Sequence, residues 1–102
     1  MSNRSALLYT FPHTDGVQTV EVTLHYPTMS GLRRAYVVSA QPLTRRDGIT
    51  RYYPMDGLRF VVEDSPRYNA RKLAALAETP YVRAIARSLA LHVGADPAHV
   101  TE

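Results

Sequence analysis

The order of apolar and polar residues divides the chain into two parts with different periods. Up to about residue 63, apolar positions tend to alternate with polar ones, as in half-buried β-strands. Beyond Ser65 they recur every three to four positions, as in amphipathic helices. This pattern predicts an α+β fold in which strands come first and helices follow.

The first two strands are predicted to form a hairpin around Asp15-Gly16. Such a dipeptide favours a two-residue turn with positive φ at both positions. The alternation places apolar residues on one face and mostly polar residues on the other. The resulting cross-strand pairs are Phe11 with Val20, Tyr9 with Val22 and Leu7 with Leu24 on the inner face, and Thr10 with Glu21, Leu8 with Thr23 and Ala6 with His25 on the outer face.

Three more strands are predicted between residues 33 and 64, joined by turns at Asp47-Gly48 and Asp56-Gly57. These turns pair Leu43 with Tyr52, Pro42 with Tyr53, Tyr53 with Phe60 and Tyr52 with Val61. The core face is then predicted to carry Tyr36, Val38, Ala40, Pro42, Tyr53, Met55, Leu58, Phe60 and Val62. The outer face is predicted to carry Arg33, Ser39, Gln41, Arg45, Thr50, Tyr52, Arg59 and Glu63, with Ala35, Val37, Leu43 and Val61 among them.

Two helices are predicted over 66–77 and 80–93. Ser65-Pro66 and Thr79-Pro80 each place a favoured N-cap residue before a proline at the first helical position. Gly94 suits the left-handed residue that ends a helix. The positions predicted to face the core are Ala70, Leu73, Leu76 and Ala77 in the first helix, and Val82, Ile85, Ala86, Leu89 and Val93 in the second.

The complete prediction is an antiparallel five-stranded β-meander followed by a C-terminal helical hairpin packed on one face of the sheet. With 102 residues, the chain has the length of one domain, assigned to residues 1–94, and a flexible tail is expected over 95–102. There is no cysteine, which excludes disulfides and thiolate chemistry. No apolar run is long enough to span a bilayer or to serve as a signal peptide, so we expect a soluble, cytoplasmic protein.

Positive charge is concentrated in the middle of the chain. The net charge is +3, and residues 33–60 alone carry six arginines against two aspartates, a net +4. The arginines of this segment are Arg33, Arg34, Arg45, Arg46, Arg51 and Arg59. Because arginine binds phosphate and carboxylate through two parallel hydrogen bonds, this segment favours an anionic partner.

The outer face of the predicted sheet is the first candidate for a binding site. Arg33, Arg45 and Arg59 can contact phosphates, and Tyr52 offers a ring on which a base can stack. Gln41, with Ser39, can supply hydrogen bonds. We therefore predict a nucleic-acid or partner-binding surface at Arg33, Gln41, Arg45, Tyr52 and Arg59. The alternative is a solvated sheet face without a ligand.

A secondary basic patch is predicted on the outer side of the helices. It consists of Arg67, Arg71, Lys72, Arg83 and Arg87. The two short helices are weakly similar to a helix-turn-helix, but the connection Glu78-Thr79-Pro80 is tighter than the usual turn and lacks its glycine. Two helices packed against the sheet are the preferred interpretation.

Catalytic and metal-binding patterns are not evident in the sequence. His92 and His99 could join Asp96 and Glu102 around a metal, but Gly94 and Pro97 interrupt them and no known ligand spacing results. Neither a Gly-rich phosphate loop nor a nucleophile next to a base is found. We expect a protein that is not an enzyme and needs no cofactor or metal.

Two functions remain after these exclusions. The first is binding of nucleic acid through the outer sheet face. The second is binding of a nucleic-acid-handling protein, as an inhibitor or adaptor. In its small size and lack of catalytic motifs the chain resembles accessory proteins of phages and mobile elements, among them anti-defence proteins. A homo-oligomer formed through the edge of the first strand is a further possibility.

Overall fold

The computed structural model describes residues 4–27, 34–52 and 57–100, without the side chains of Arg45, Arg46 and Tyr52. These residues form one sheet and two helices. The elements are β1 (Ser5–Pro12), β2 (Thr19–His25), β3 (Ala35–Arg46), β4 (Ile49–Tyr52), β5 (Leu58–Asp64), α1 (Ala70–Ala77) and α2 (Pro80–His92). The predicted α+β class, with antiparallel strands followed by two helices on the sheet, is confirmed. Neither described helix is long and apolar enough to cross a membrane.

The last strand departs from the predicted pairing. β4 pairs with the C-terminal end of β3, whereas β5 pairs with the N-terminal half of the same strand. Val61 therefore lies opposite Val37, and the predicted pairing of Val61 with Tyr52 is wrong. β3 has 12 residues and β4 only 4, so a meander would leave the buried half of β3 without a neighbour on that side. Phe60 lies opposite Val38, and its predicted partner Tyr53 lies outside the described residues.

The first hairpin keeps the predicted pairs near its turn and loses them further away. Phe11 with Val20 and Tyr9 with Val22 are confirmed, but a bulge at Leu8 then shifts the register by one residue. Leu8 consequently turns inward and is 7% exposed, while Leu7 points outward at 60%. The loop is longer than the predicted two residues, because the last pair of the hairpin is Pro12 with Thr19. Gly16 has a positive φ of 74°, but Asp15 does not, since among the described non-glycine residues positive φ is found only at Asp47. The shift pairs Leu7 with Thr23, Ala6 with Leu24 and Ser5 with His25.

The β3–β4 turn agrees with its sequence signal. Asp47 and Gly48 have φ values of 54° and 75°, the double positive φ that a two-residue hairpin turn requires. Leu43 lies opposite Tyr52, as predicted. The predicted pair of Pro42 with Tyr53, the core position of Met55 and the Asp56-Gly57 turn lie wholly or partly outside the described residues.

The first helix begins later than predicted. Its N-cap is Asn69 rather than Ser65, and the Asn69 side-chain oxygen accepts hydrogen bonds from the backbone N–H groups of Arg71 and Lys72. Ser65 instead donates its hydroxyl hydrogen to the carbonyl of Arg67 before the helix starts. The second helix begins after Thr79 with Pro80 at its first position, as predicted.

The core lies between the helices and one face of the sheet. Its fully buried residues include Tyr36, Val38 and Ala40, which were predicted on this face. Ala70, predicted to face inward, is exposed, because the helix starts there. Leu58 and Phe60 lie on the core side of the sheet but are also exposed. The described core residues are Leu8, Phe11, Val20, Val22, Leu24, Tyr26, Tyr36, Val38, Ala40, Leu73, Ala77, Val82, Ala86, Ala90, Val93 and Ala95.

The C-terminal residues are held against the first hairpin up to Val100. Ala95 is 2% exposed and forms a bridge with His13. The N–H of Asp96 donates to the carbonyl of Pro12 at 2.8 Å, and Val100 packs against the core. These contacts involve residues 95–100 of the segment for which a flexible tail was expected. Gly94 has a φ of 103° and ends the second helix as predicted.

Candidate functional site

Neither helix packs on the outer face of the sheet in the described part of the chain, although Val37 and Leu43 of β3 are buried there. Both helices pack on the other face, where their side chains join the core. The strand register places the outer residues in rows that run across the sheet. These rows are Ser5, His25, Val37 and Val61; Leu7, Thr23, Ser39 and Arg59; Thr10, Glu21 and Gln41; Pro12, Thr19, Leu43 and Tyr52; and Arg45 with Thr50.

Two of the predicted site residues meet at one place. Gln41 and Arg59 line an open depression together with Ser39, at the point where β5 begins beside β3. Its volume is about 190 Å³. This is smaller than the roughly 300–1,000 Å³ of typical small-molecule sites, so the depression suits one group of a larger ligand better than a whole metabolite.

His25 belongs to the same region, although the sequence indicated only an exposed histidine. Its Nε2 lies 2.8 Å from the hydroxyl of Ser39, across the β2–β3 pair. Burial lowers the pKa of His25 below its ordinary value of 6.5, and the positive charge of Arg59 lowers it further. Alternation in β2 assigned His25 to the outer face, but only the pairing of β2, β3 and β5 brings it near Ser39 and Arg59.

The charged positions of the outer face are spread along β3. Arg59 lies opposite Ser39. Along β3, Ser39 and Arg45 are six residues apart, which is about 20 Å at 3.3 Å per residue. Arg45 and Arg59 therefore cannot hold one phosphate together. Glu21 lies opposite Gln41 between them and opposes the binding of an anion there.

The end of the β3–β4 hairpin forms a basic arm, defined here as residues 44–51. The register pairs Thr44 with Arg51, Arg45 with Thr50 and Arg46 with Ile49. Arg51 is exposed, although the alternation of side chains along β4 assigns it to the core side of the sheet. Ile49 is 57% exposed. In the described residues, β3 is the main tertiary neighbour of β4, so the arm extends beyond the helices.

Three other residues were predicted to belong to the site, namely Arg33, Arg45 and Tyr52. Arg33 lies outside the described residues. For Arg45 and Tyr52 only the strand positions are described: Arg45 lies opposite Thr50 and Tyr52 opposite Leu43, at the end of the sheet where the arm begins.

The secondary basic patch is not a continuous surface. Arg67 and Arg71 are exposed, but the ammonium group of Lys72 pairs with the carboxylate of Glu63, which raises the pKa of Lys72. The expectation that Arg83 and Arg87 point outward from the helices is wrong, since both are partly buried toward β1.

Arg83 and Arg87 bind the first strand. Arg83 donates from Nε to the carbonyl of Ala77 at 2.7 Å and from Nη1 to the carbonyl of Leu8 at 3.0 Å. Arg87 donates to the hydroxyl of Tyr9 at 3.0 Å. Helices tied to a sheet in this way do not present these two side chains to a DNA groove, so the weak similarity to a helix-turn-helix gains no support.

Among the described residues, the acidic and histidine side chains do not come together as a set of metal ligands. No group of three such residues with suitable geometry occurs within 4–27, 34–52 and 57–100. His99 lies 3.5 Å from Asp96, and Nδ1 of His92 lies 2.8 Å from the carbonyl of Ser88. Glu102, the fourth member of the metal arrangement considered from the sequence, lies outside these ranges.

Comparison of the chain with protein-family models, with curated proteins and with solved structures found no match.

Proposed function

We propose that the protein binds nucleic acid through the outer face of its sheet. The observation that carries this proposal is the depression in which Arg59 lies beside Gln41 and Ser39, on a face that the described helices leave open. A guanidinium beside two neutral hydrogen-bonding groups suits a phosphate with its neighbouring sugar or base. The contact residues of this proposal are Arg33, Gln41, Arg45, Tyr52 and Arg59.

The spacing of the arginines implies an elongated ligand. The interval of about 20 Å between the strand positions of Arg59 and Arg45 corresponds to about six nucleotides of a stacked strand, which advances about 3.4 Å per nucleotide. Tyr52, whose backbone pairs with Leu43 within this interval, is the proposed stacking platform. Stacking requires an unpaired base, so we expect single strands to bind more tightly than duplexes.

Fluorescence anisotropy with labelled single-stranded and duplex oligonucleotides tests the proposal. Phosphate contacts release counterions, so the affinity should fall as the salt concentration rises. Arg59→Gln should weaken binding and reduce the slope of log K against log salt by about 1. Arg71→Gln, on the exposed side of α1, is the matched control. Absence of binding at low salt, or a larger effect of Arg71→Gln than of Arg59→Gln, would exclude the outer face as the site.

A second pair of variants changes the charge in the opposite direction. Glu21→Gln removes the carboxylate opposite Gln41 and should tighten binding by about two- to fivefold, the effect of one weakly screened charge. Glu78→Gln makes the same change of net charge on the helical side, where Glu78 is 81% exposed in its side chain. An equal effect of both variants would indicate attraction by net charge without a defined site.

Binding of a protein partner is the second candidate. It is favoured by the apolar side chains of the outer face, because Leu7 is 60% and Val61 36% exposed there. The partner is then a nucleic-acid-handling protein that the chain inhibits or recruits. Affinity capture with and without nuclease separates the two functions: a stoichiometric protein that survives nuclease treatment supports this candidate, and loss of capture supports nucleic acid.

A further inference from the structure

The segment Leu58–Val61 forms an exposed edge of the sheet. β5 pairs with β3 on one side, and no strand among the described residues pairs with its other side. Three of its four side chains are large and apolar, with exposed fractions of 40% for Leu58, 42% for Phe60 and 36% for Val61. An unpaired strand with exposed apolar side chains is a template for another strand.

The apolar residues of this edge continue the core side of the sheet. Leu58 lies opposite Ala40 and Phe60 opposite Val38, and both partners are fully buried under the helices. One strand further out, α2 still contacts β5, but Leu58 and Phe60 are not fully covered. The edge therefore presents main-chain hydrogen-bonding groups together with a partly exposed apolar strip on a single face.

We propose that β5 pairs antiparallel with β5 of a second copy of the chain, about a two-fold axis at Phe60. The two sheets then form one continuous sheet, joined by about four to six main-chain hydrogen bonds. Phe60 faces Phe60 of the second copy, and Leu58 faces Val62. The interface rests on the geometry of β5 and does not depend on nucleic-acid binding.

The order of residues along β5 selects this register. In an antiparallel pair, opposed residues lie on the same face, so a symmetric pair must be centred on a residue. Centring on Arg59 would bring two arginines face to face, and centring on Val61 would place Leu58 opposite Asp64. Centring on Phe60 opposes only apolar residues on the helical side.

The outer side and the ends of the pair are also compatible with this register. Arg59 then lies opposite Val61, where its aliphatic stem covers the valine while its guanidinium reaches water. The carboxylates of Glu63 and Asp64 lie beyond the five paired residues, and Glu63 stays bound to Lys72.

The first strand is less suited to this role than its sequence suggested. A bulge at Leu8 interrupts the edge of β1, and bulges oppose pairing with a further strand. The carbonyl of Leu8 already accepts a hydrogen bond from Arg83. β5 has a bulge of its own at Val62, but the four residues before it, Leu58–Val61, pair regularly with β3, so β5 is the edge on which self-association is expected.

Cysteine cross-linking tests the register, because the chain contains no cysteine of its own. Phe60→Cys places two thiols opposite each other with a Cα separation of about 4.5–5.5 Å, which suits a disulfide. Leu58→Cys places the two thiols roughly 13 Å apart along the strands. Under mild oxidation we expect a covalent dimer from Phe60→Cys and little from Leu58→Cys. Equal cross-linking of both variants would overturn the proposed pairing.

Analytical ultracentrifugation over a wide range of protein concentrations tests the dimer itself. A pairing of five residues buries less than the roughly 800 Å² per partner of a standard interface, so the dimer should dissociate on dilution. Phe60→Lys places two positive charges opposite each other at the two-fold axis and should raise the dissociation constant of the dimer at least tenfold. Leu7→Lys on β1 should leave this dissociation constant unchanged. A monomer at every concentration, or greater sensitivity to Leu7→Lys, would overturn the proposal.

Discussion

Replacement of Arg83 by methionine should destabilise the fold through the loss of one guanidinium. The side chain of Arg83 joins the last turn of α1, through Ala77, to the bulge of β1, through Leu8, and its guanidinium carbon lies 5.1 Å from the ring centroid of Tyr9. Methionine keeps most of the apolar stem and removes both donors. Two carbonyl groups therefore lose a charged hydrogen-bond partner.

The expected loss can be estimated from these contacts. A hydrogen bond to a charged group contributes about 1.5–3 kcal/mol. The side chain of Arg83 is 27% exposed, so water partly replaces the two lost bonds, and we expect a net loss of about 2–3 kcal/mol. With an unfolding entropy of about 2.1 cal/mol/K per residue, this corresponds to a fall in Tm of about 9–14 °C.

Urea and thermal unfolding followed by circular dichroism measure this change. Arg87→Met is the matched control, because it removes a single bond to the hydroxyl of Tyr9 and should cost only about 1 kcal/mol. Arg83→Lys should fall between the wild type and Arg83→Met, since an ammonium lacks the planar fork that reaches two carbonyls. Equal stability of Arg83→Met and Arg87→Met would refute the assignment of Arg83 as a link between α1 and β1.

Three further predictions follow from single contacts. Tyr36→Phe leaves the N–H of Asn69 without its acceptor at 2.9 Å and should cost about 1–3 kcal/mol in urea unfolding. Gly94→Ala should cost at least about 1–2 kcal/mol because of its φ of 103°, and its new methyl group would displace the ring of His13, which chemical shifts would report. The pKa of His25 is lower in the folded chain than in the unfolded chain, so the unfolded chain binds a proton at His25 more tightly. The free energy of unfolding should therefore fall as the pH drops below 6.5. His25→Gln should remove that part of the pH dependence.

Most of the candidate site could be placed on one face from the sequence, but its geometry could not. Alternation assigned Gln41 and Arg59 to the outer face, and their strand positions agree with this. Their common depression depends on β5 lying beside β3, which the predicted meander did not include. The hydrogen bond between His25 and Ser39 was missed for a different reason, because it joins β2 and β3, whose register the sequence did not specify.

The sequence by itself determined the features that depend on a few neighbouring residues. Asp47-Gly48 adopts the turn that its residue types favour, Pro80 begins the second helix and Gly94 ends it. The periods of the apolar residues gave the order of strands and helices. These features are local because steric limits on φ and ψ and the presence or absence of an N–H group act within a few residues.

Only the tertiary structure decided between arrangements that have the same local pattern. Leu7 and Leu8 are both apolar, and the bulge at Leu8 turned Leu8 inward and Leu7 outward. Phe60 alternates like a core residue, yet it remains 42% exposed on the edge strand, although α2 contacts β5. Burial depends on which elements lie side by side, and this is fixed by packing over the whole sheet rather than by the residues on either side in the chain.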